Sequence, residues 1–296
     1  MGMKGPVAGV FWMVLTGLFF VGVTAIVKHL DGRMPAAQSA FLRYAMGLVF
    51  LLPMIGTLRA ARYDRRTILL FSLRGFVHAI GVILWFFAMT RISIAEVTAM
   101  NYLSPVYVSL GAVLVLREKM ALRRIVAVIM ALIGALIVLR PGVRALDLGH
   151  LAMLGTAVLF AAGYLVAKIM ADEQPPSVVV AMLSIFVTLF LAPFAAMDWV
   201  TPTARELAWL FGVAILATSG HFTMTLAFRA APITVTQPVT FLQLVWATIL
   251  GVVMFGEPLD GWVIFGGLVI LASVIFMTWR EAVAKRRAFA QATGPV

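Results

Sequence analysis

The sequence predicts an all-α integral membrane protein of ten transmembrane helices, built as two inverted five-helix repeats around a central cavity. Three observations predict it. Of 296 residues, 63% are hydrophobic and 12% are charged, with a mean hydropathy of +1.05; a soluble domain runs nearer ~45–50% apolar and ~25% charged. The apolar residues gather into ten stretches. The two halves of the chain repeat one another at an offset of 139–140 residues.

A spanning helix needs ~20 mostly apolar residues, because each adds ~1.5 Å across a ~30 Å hydrocarbon core. Span 1, Gly5–Val27, carries no Asp, Glu, Lys or Arg. It is too long for a signal-peptide core and only Lys4 precedes it, so it reads as a retained helix. Span 2, Met34–Leu58, is interrupted only by Arg43, and span 3, Thr67–Thr90, only by Arg74. Spans 4 to 7 are charge-free: Val97–Leu116, Ile125–Leu139, Leu148–Ala167 and Gln174–Met197. So are spans 8 to 10: Leu207–Phe228, Ala230–Gly256 and Gly261–Trp279. Barrel strands would be shorter and would alternate polar with apolar residues, so these are helices. The longest hydrophilic stretch is the tail Arg280–Val296, and no soluble domain is expected.

This composition excludes a soluble enzyme, a nucleic-acid binder and a disordered chain. The net charge of +11 sits in short gaps between spans and reads as topology. With the N-terminus cytoplasmic, 14 of the 23 Lys and Arg fall on the inner side, 6 on the outer side and 3 within spans. Both termini are therefore expected in the cytoplasm, with the chain in a bacterial inner membrane. There is no cysteine, which removes disulfides, thiolate metal sites and iron–sulfur clusters.

The repeat divides the chain into residues 1–143 and 144–296. At an offset of 140, Lys28 matches Lys168, Pro35 matches Pro175 and Pro53 matches Pro193; at 139, Glu118 matches Glu257. Five spans per repeat is an odd number, so the second half must lie upside down. The loop Arg117–Arg124 carries four basic residues, and its counterpart Gly256–Asp260 carries none, as inversion requires. Two inverted halves can present one midplane site to each side of the membrane in turn, which points to a secondary transporter.

The stretch Ala95–Gly142 and its echo Ala230–Phe276 resemble the EamA-type repeat of the drug/metabolite transporter superfamily. The features that carry the resemblance are Ser104-Pro105 in span 4, and then Arg117-Glu118 and Gly256-Glu257, each followed by a helix of small residues. It covers roughly residues 7–279. Span 9 has Gln243-Leu244 where span 4 has Ser104-Pro105, so a strictly symmetric kink is not expected. The resemblance implies ten helices, a central substrate cavity and the movement of metabolites, often outward. The nearest likeness is to bacterial exporters of aromatic and other neutral amino acids; a nucleoside, a sugar derivative, or a membrane-embedded enzyme or scaffold is the alternative.

Helical spacing places Thr98, Tyr102, Pro105 and Ser109 on one face of span 4, with Asn101 beside them, and Gln237, Phe241, Leu244 and Thr248 on the matching face of span 9. These stripes are cavity lining or helix–helix contacts. Span 3 aligns His78, Gly81 and Trp85; span 8 aligns His221, Thr225 and Phe228. Each His either bonds a backbone carbonyl while neutral or serves as a proton site or substrate contact. Trp12, Tyr44, Tyr164 and Trp246 add aromatic walls well inside spans, while Trp199, Trp262 and Trp279 suit the interfaces. Arg43 either neutralises a substrate carboxylate or pairs with Glu96. Arg74, Lys28 and Lys168 snorkel by default, and Lys168, one turn beyond Tyr164, also faces the expected inner mouth.

The small-residue stripe Ala127, Ala131, Ala135 suits packing inside the chain or a dimer. No Walker A motif, HExxH motif or carboxylate cluster is present. The expected partners are a small-molecule substrate and lipid, with protons as a candidate coupling ion, and no nucleic acid, metal or cofactor.

Overall fold

In the computed structural model, residues 5–30, 32–116, 122–143, 145–170, 173–231 and 233–292 are described. Their helices, in chain order, are α1 (Pro6–His29), α2 (Ala36–Gly47), α3 (Ile55–Ala60), α4 (Arg65–Met89), α5 (Ile94–Asn101), α6 (Ser104–Leu116) and α7 (Leu122–Leu139). The second half adds α8 (Leu148–Met170), α9 (Pro176–Met197), α10 (Ala204–Ala230), α11 (Ile233–Thr236), α12 (Phe241–Phe255) and α13 (Gly261–Ala292). Among these residues, eight segments are long and apolar enough to cross a membrane by length and composition.

The two predicted spans outside that set are spans 4 and 9, and both are broken. Span 4 is α5 and α6, parted at Tyr102 and Leu103 just before Pro105. Span 9 is α11 and α12, joined by a 3₁₀ turn over Gln237–Thr240 that contains Pro238. The two segments therefore do not kink in strict symmetry, as the Gln243-Leu244 departure led one to expect: a proline stands at both breaks, placed differently within each. A proline supplies no N–H to the helical ladder and crowds the preceding turn, so the chain leaves the α-helix there. In span 2 a 3₁₀ stretch, Leu48–Met54, carries Pro53.

Local chemistry fixes the ends. Asp64 caps α4, accepting from the Thr67 amide at 2.8 Å, and hydrogen bonding from Thr67 holds its carboxyl below the usual carboxylate range. Capping boxes open α5, through Ser93 and Glu96, and α10, through Thr203 and Glu206. Gly256 ends α12 with φ of 63°, a left-handed conformation suited to glycine.

The chain reverses at each connection. The end where α1 begins is here the near end, and the end where it finishes is the far end. The largest interfaces all join one half of the chain to the other: α1 with α10, α4 with α8, α7 with α13, α4 with α9, and α2 with α9. Under the sequence offset α1 corresponds to α8 and α4 to α10, so the first two interfaces are equivalents. The contacts of α4 with α9 and of α10 with α2 form another equivalent pair. At the α7–α13 crossing, a Cβ on Gly134 would lie 2.9 Å from the Gly266 carbonyl oxygen, so the two backbones touch. Ala127, Ala131 and Ala135 are buried in α7, placing that stripe in packing within the chain.

Candidate functional site

The far end is closed by polar contacts between the two halves. Lys28 Nζ lies 2.5 Å from Glu257 Oε1 and donates to the Ile92 carbonyl at 2.8 Å. Glu257 also accepts from the Ile94 amide at 3.0 Å. Lys28 is thus an ion-pair partner, which corrects the expectation that it snorkels. Arg33 pairs with Glu206, Arg140 with Asp260, and Gln38 exchanges hydrogen bonds with the Val200 backbone. Glu96 is buried; its Oε2 accepts from the Ser93 amide at 2.8 Å, and His150 Nε2 is 3.2 Å from its Oε1. Ser93 and His150 are thus partners of Glu96, while Arg43 makes no salt bridge among the described residues, so the alternative of an Arg43–Glu96 pair is not seen.

A second polar group sits deep in the bundle. Arg43 and Tyr44 come from α2, and Arg74 and His78 from α4, one helical turn apart. The Arg43 guanidinium lies 4.0 Å from the centre of the Tyr44 ring. The Tyr44 hydroxyl is 3.1 Å from His78 Nε2. His78 stacks on Phe160 of α8 at 4.6 Å, and Trp85 meets the same ring edge-on at 6.2 Å. Arg74 is buried and donates to the Val179 carbonyl at 2.9 Å, so its charge stays inside and does not snorkel. Val179 belongs to α9, a neighbour close enough to take the donor that the membrane surface would otherwise have satisfied.

Tyr164 and His221 complete the group. Tyr164 is 50% exposed and His221, which meets the Phe20 ring edge-on at 5.2 Å, is also exposed. Tyr164 stands six residues before the end of α8, about 9 Å from the near end. Tyr164 thus sits toward the near end, where Arg66 pairs with Glu173, and away from the far-end ion pairs. A separate recess of about 430 Å³ lies at the far end between α1, α2 and α4, lined in part by Val27, Pro35, Phe86 and Arg91. It includes none of the predicted site residues.

The other predicted residues are placed as follows. Tyr102, at the break in span 4, donates its hydroxyl to the Thr240 carbonyl at 2.8 Å, joining the two broken spans. Asn101 and Phe241 stand at the same two breaks, both half-buried. Thr98 is buried and donates to the Ile94 carbonyl within its own helix. The Ser109 hydroxyl accepts from Arg124 Nη2 at 3.1 Å and lies 3.4 Å from Met277 Sδ, in helix packing apart from the Tyr164 cluster. The buried indole Nε1 of Trp85 and of Trp246, and the Ser104 hydroxyl at the break, have no hydrogen-bond partner. Arg117 and Glu118 lie outside the described residues, as do the side chains of Gln237 and Lys168.

Sequence reading missed the linking roles of Glu257 and His150. The matched Glu118 and Glu257 were a usable signal for the first; nothing in the sequence pairs His150 with Glu96.

The EamA-like transporter family matches this chain twice, over residues 7–140 and 147–279. A riboflavin transporter of Vibrio cholerae is 29% identical over 95% of this chain and 96% of its own length. An S-adenosylmethionine uptake transporter of Rickettsia bellii is 29% identical, covering 92% and 94%. A pseudopaline exporter of Pseudomonas aeruginosa is 26% identical, covering 92% and 96%. One solved crystal structure shares the fold at a TM-score of 0.60 and 17% identity, covering 95% of this chain and 98% of the other.

Proposed function

The chain belongs to the EamA-like transporter family of the drug/metabolite transporter superfamily, and is a multi-pass secondary transporter of that type; we propose that it moves aromatic and other neutral amino acids through the space beside Tyr164 and His221. Ten spans form two inverted five-helix repeats, residues 1–143 and 144–296, and alternate access to that space. The equivalence of the α1–α10 and α4–α8 interfaces supports this reading, as does the presence of a break in the fourth span of each half. Both termini lie in the cytoplasm, which makes the near end the inner face.

The observation that carries the proposal is a buried cation, Arg43, set against the Tyr44 ring close to the aromatic row of His78, Phe160 and Trp85. Among the described residues Arg43 has no hydrogen bond and no carboxylate partner, and it takes the substrate carboxylate. The row His78, Phe160, Trp85 offers ring faces and edges to a planar side chain. The indole donors of Trp85 and Trp246 and the Ser104 hydroxyl are buried without a hydrogen-bond partner. His78 and His221 are the candidate proton carriers, and Glu96 and Lys168 the candidate gating charges. The relatives include an uptake transporter and an exporter, so export rests on the resemblance to amino acid exporters.

The test is uptake of labelled phenylalanine into proteoliposomes, with and without a pH gradient, and with tryptophan and riboflavin as competitors. Saturable flux blocked by tryptophan supports the amino acid reading. Blocking by riboflavin alone replaces it with a flavin-like solute. Dependence on the gradient assigns proton coupling, and flux without it assigns a facilitator.

A further inference from the structure

Resting on the transport reading above, the charge inventory of the same pocket narrows the class of solute. Arg43 is 9% exposed and Arg74 is 8% exposed, on neighbouring helices α2 and α4. Neither meets a carboxylate among the described residues. Arg43 has only the face of the Tyr44 ring, and Arg74 uses Nη1 on the Val179 carbonyl. Tyr44 stands between them: it lies under Arg43 and reaches His78, one turn along α4 from Arg74. The ion-paired carboxylates nearest in kind are engaged at the ends of the bundle, Glu206 and Glu257 at the far end and Glu173 at the near end.

Two guanidiniums buried at membrane depth with no counter-charge are costly unless something negative joins them. Arginine's planar fork of donors suits an oxyanion. Tyr164 and His221, both exposed, stand on α8 and α10, the helices packed against α4 and α2. We infer that Arg43 and Arg74 form a two-cation site that selects a solute of net negative charge, an aromatic carboxylate or phosphate in preference to a zwitterion. An aromatic amino acid binds the same site more weakly, because its ammonium adds a third positive charge where no acid receives it.

The test uses the full-length protein in lipid nanodiscs and calorimetric binding of probes that share a phenyl ring and differ in charge. They are 3-phenylpropionate, phenyl phosphate, phenylalanine and phenethylamine. The expected result is 3-phenylpropionate about tenfold tighter than phenylalanine, with phenethylamine weakest. Phenyl phosphate tighter than the carboxylate assigns a phosphorylated cargo; the reverse assigns a carboxylic acid. Arg43→Gln and Arg74→Gln each remove most of the anion preference, while Arg43→Lys, which keeps the charge, retains it and controls for folding.

Equal affinities across the series, a tighter zwitterion, or no binding at roughly 10 mM would overturn the inference. So would an anion preference that survives Arg43→Gln. Binding with the expected preference but no flux in liposomes removes the transport reading and leaves the site standing. Phenylalanine flux without the preference does the opposite.

Discussion

Replacing Lys28 by Met tests whether the far end is held by charge or by packing alone. Lys28 and Glu257 are 18% and 12% exposed and meet at 2.5 Å, so neither ion is well solvated. Two unit charges 4 Å apart interact by about 4 kcal/mol at an effective dielectric near 20. Desolvation and side-chain ordering offset part of that gain, leaving a coupling of roughly 2 kcal/mol. Lys28→Met strands the carboxylate on the Ile94 amide, and Glu257→Gln strands the ammonium on the Ile92 carbonyl. Each single change should therefore cost about 3 kcal/mol, and the pair together about 4 kcal/mol.

The assay is a double-mutant cycle in mixed detergent, following unfolding of the full chain by tryptophan fluorescence. The chain has no cysteine, so one introduced at buried Thr98 gives a second readout with an impermeant thiol reagent. Thr98→Cys should resist the reagent from the far side in the parent and react when Lys28 is Met. Single changes that add to within ~0.5 kcal/mol would refute the reasoning, because independent sites add and coupled ones do not.

Three further outcomes are expected. Gly134→Ala should destabilise the chain by about 2 kcal/mol or more, since the new methyl meets the Gly266 carbonyl and Ile270 of α13 within 2.9 Å; a neutral result in the same unfolding assay would contradict the backbone contact. Trp85→Ala or Tyr102→Ala should lower proteoliposome flux more than Trp199→Ala, which alters only an exposed residue beyond the end of α9; equal losses would remove the cavity assignment. Tyr102→Phe, which deletes one hydrogen bond to Thr240, should cost about 1 kcal/mol of stability, and no change would mean the two broken spans are not joined there.

The spans were legible because bilayer thickness imposes one length on every crossing, and charge is nearly absent inside them. The breaks were half legible. Ser104-Pro105 announced the first, but comparing the two halves residue by residue looked for the second at Gln243-Leu244. The chain turns earlier there, at the 3₁₀ stretch holding Pro238. The site was legible as residue types on helix faces and illegible as neighbours. Tyr44 and His78 lie 34 positions apart and make one hydrogen bond. Ser109 shared a face with Tyr102, yet Arg124 and Met277 reach it first. Helical periodicity states which side chains point one way and says nothing of what stands opposite.

The ion pairs carry that point further. Arg33 corresponds to Glu173 at an offset of 140 residues, and Arg66 corresponds to Glu206. Compared as letters, both matches are failures. In the fold, Arg33 binds Glu206 at the far end, and Arg66 binds Glu173 at the near end with contacts of 2.8 and 2.9 Å. The repeat has kept the contact and exchanged its charges. A physical reason is available in the caps: at the far end Glu206 also accepts from the Thr203 amide at 2.7 Å, closing the first turn of α10, whereas at the near end Asp64 already caps α4 and leaves Arg66 free of that task. If the pair rather than either residue is the unit, reversing one partner, as in Arg66→Glu, should lower flux through like-charge repulsion with Glu173. Adding Glu173→Arg should restore it. Failure of the double reversal to recover flux beyond the single would show that the near-end contact is a surface pairing with no part in holding the two halves together.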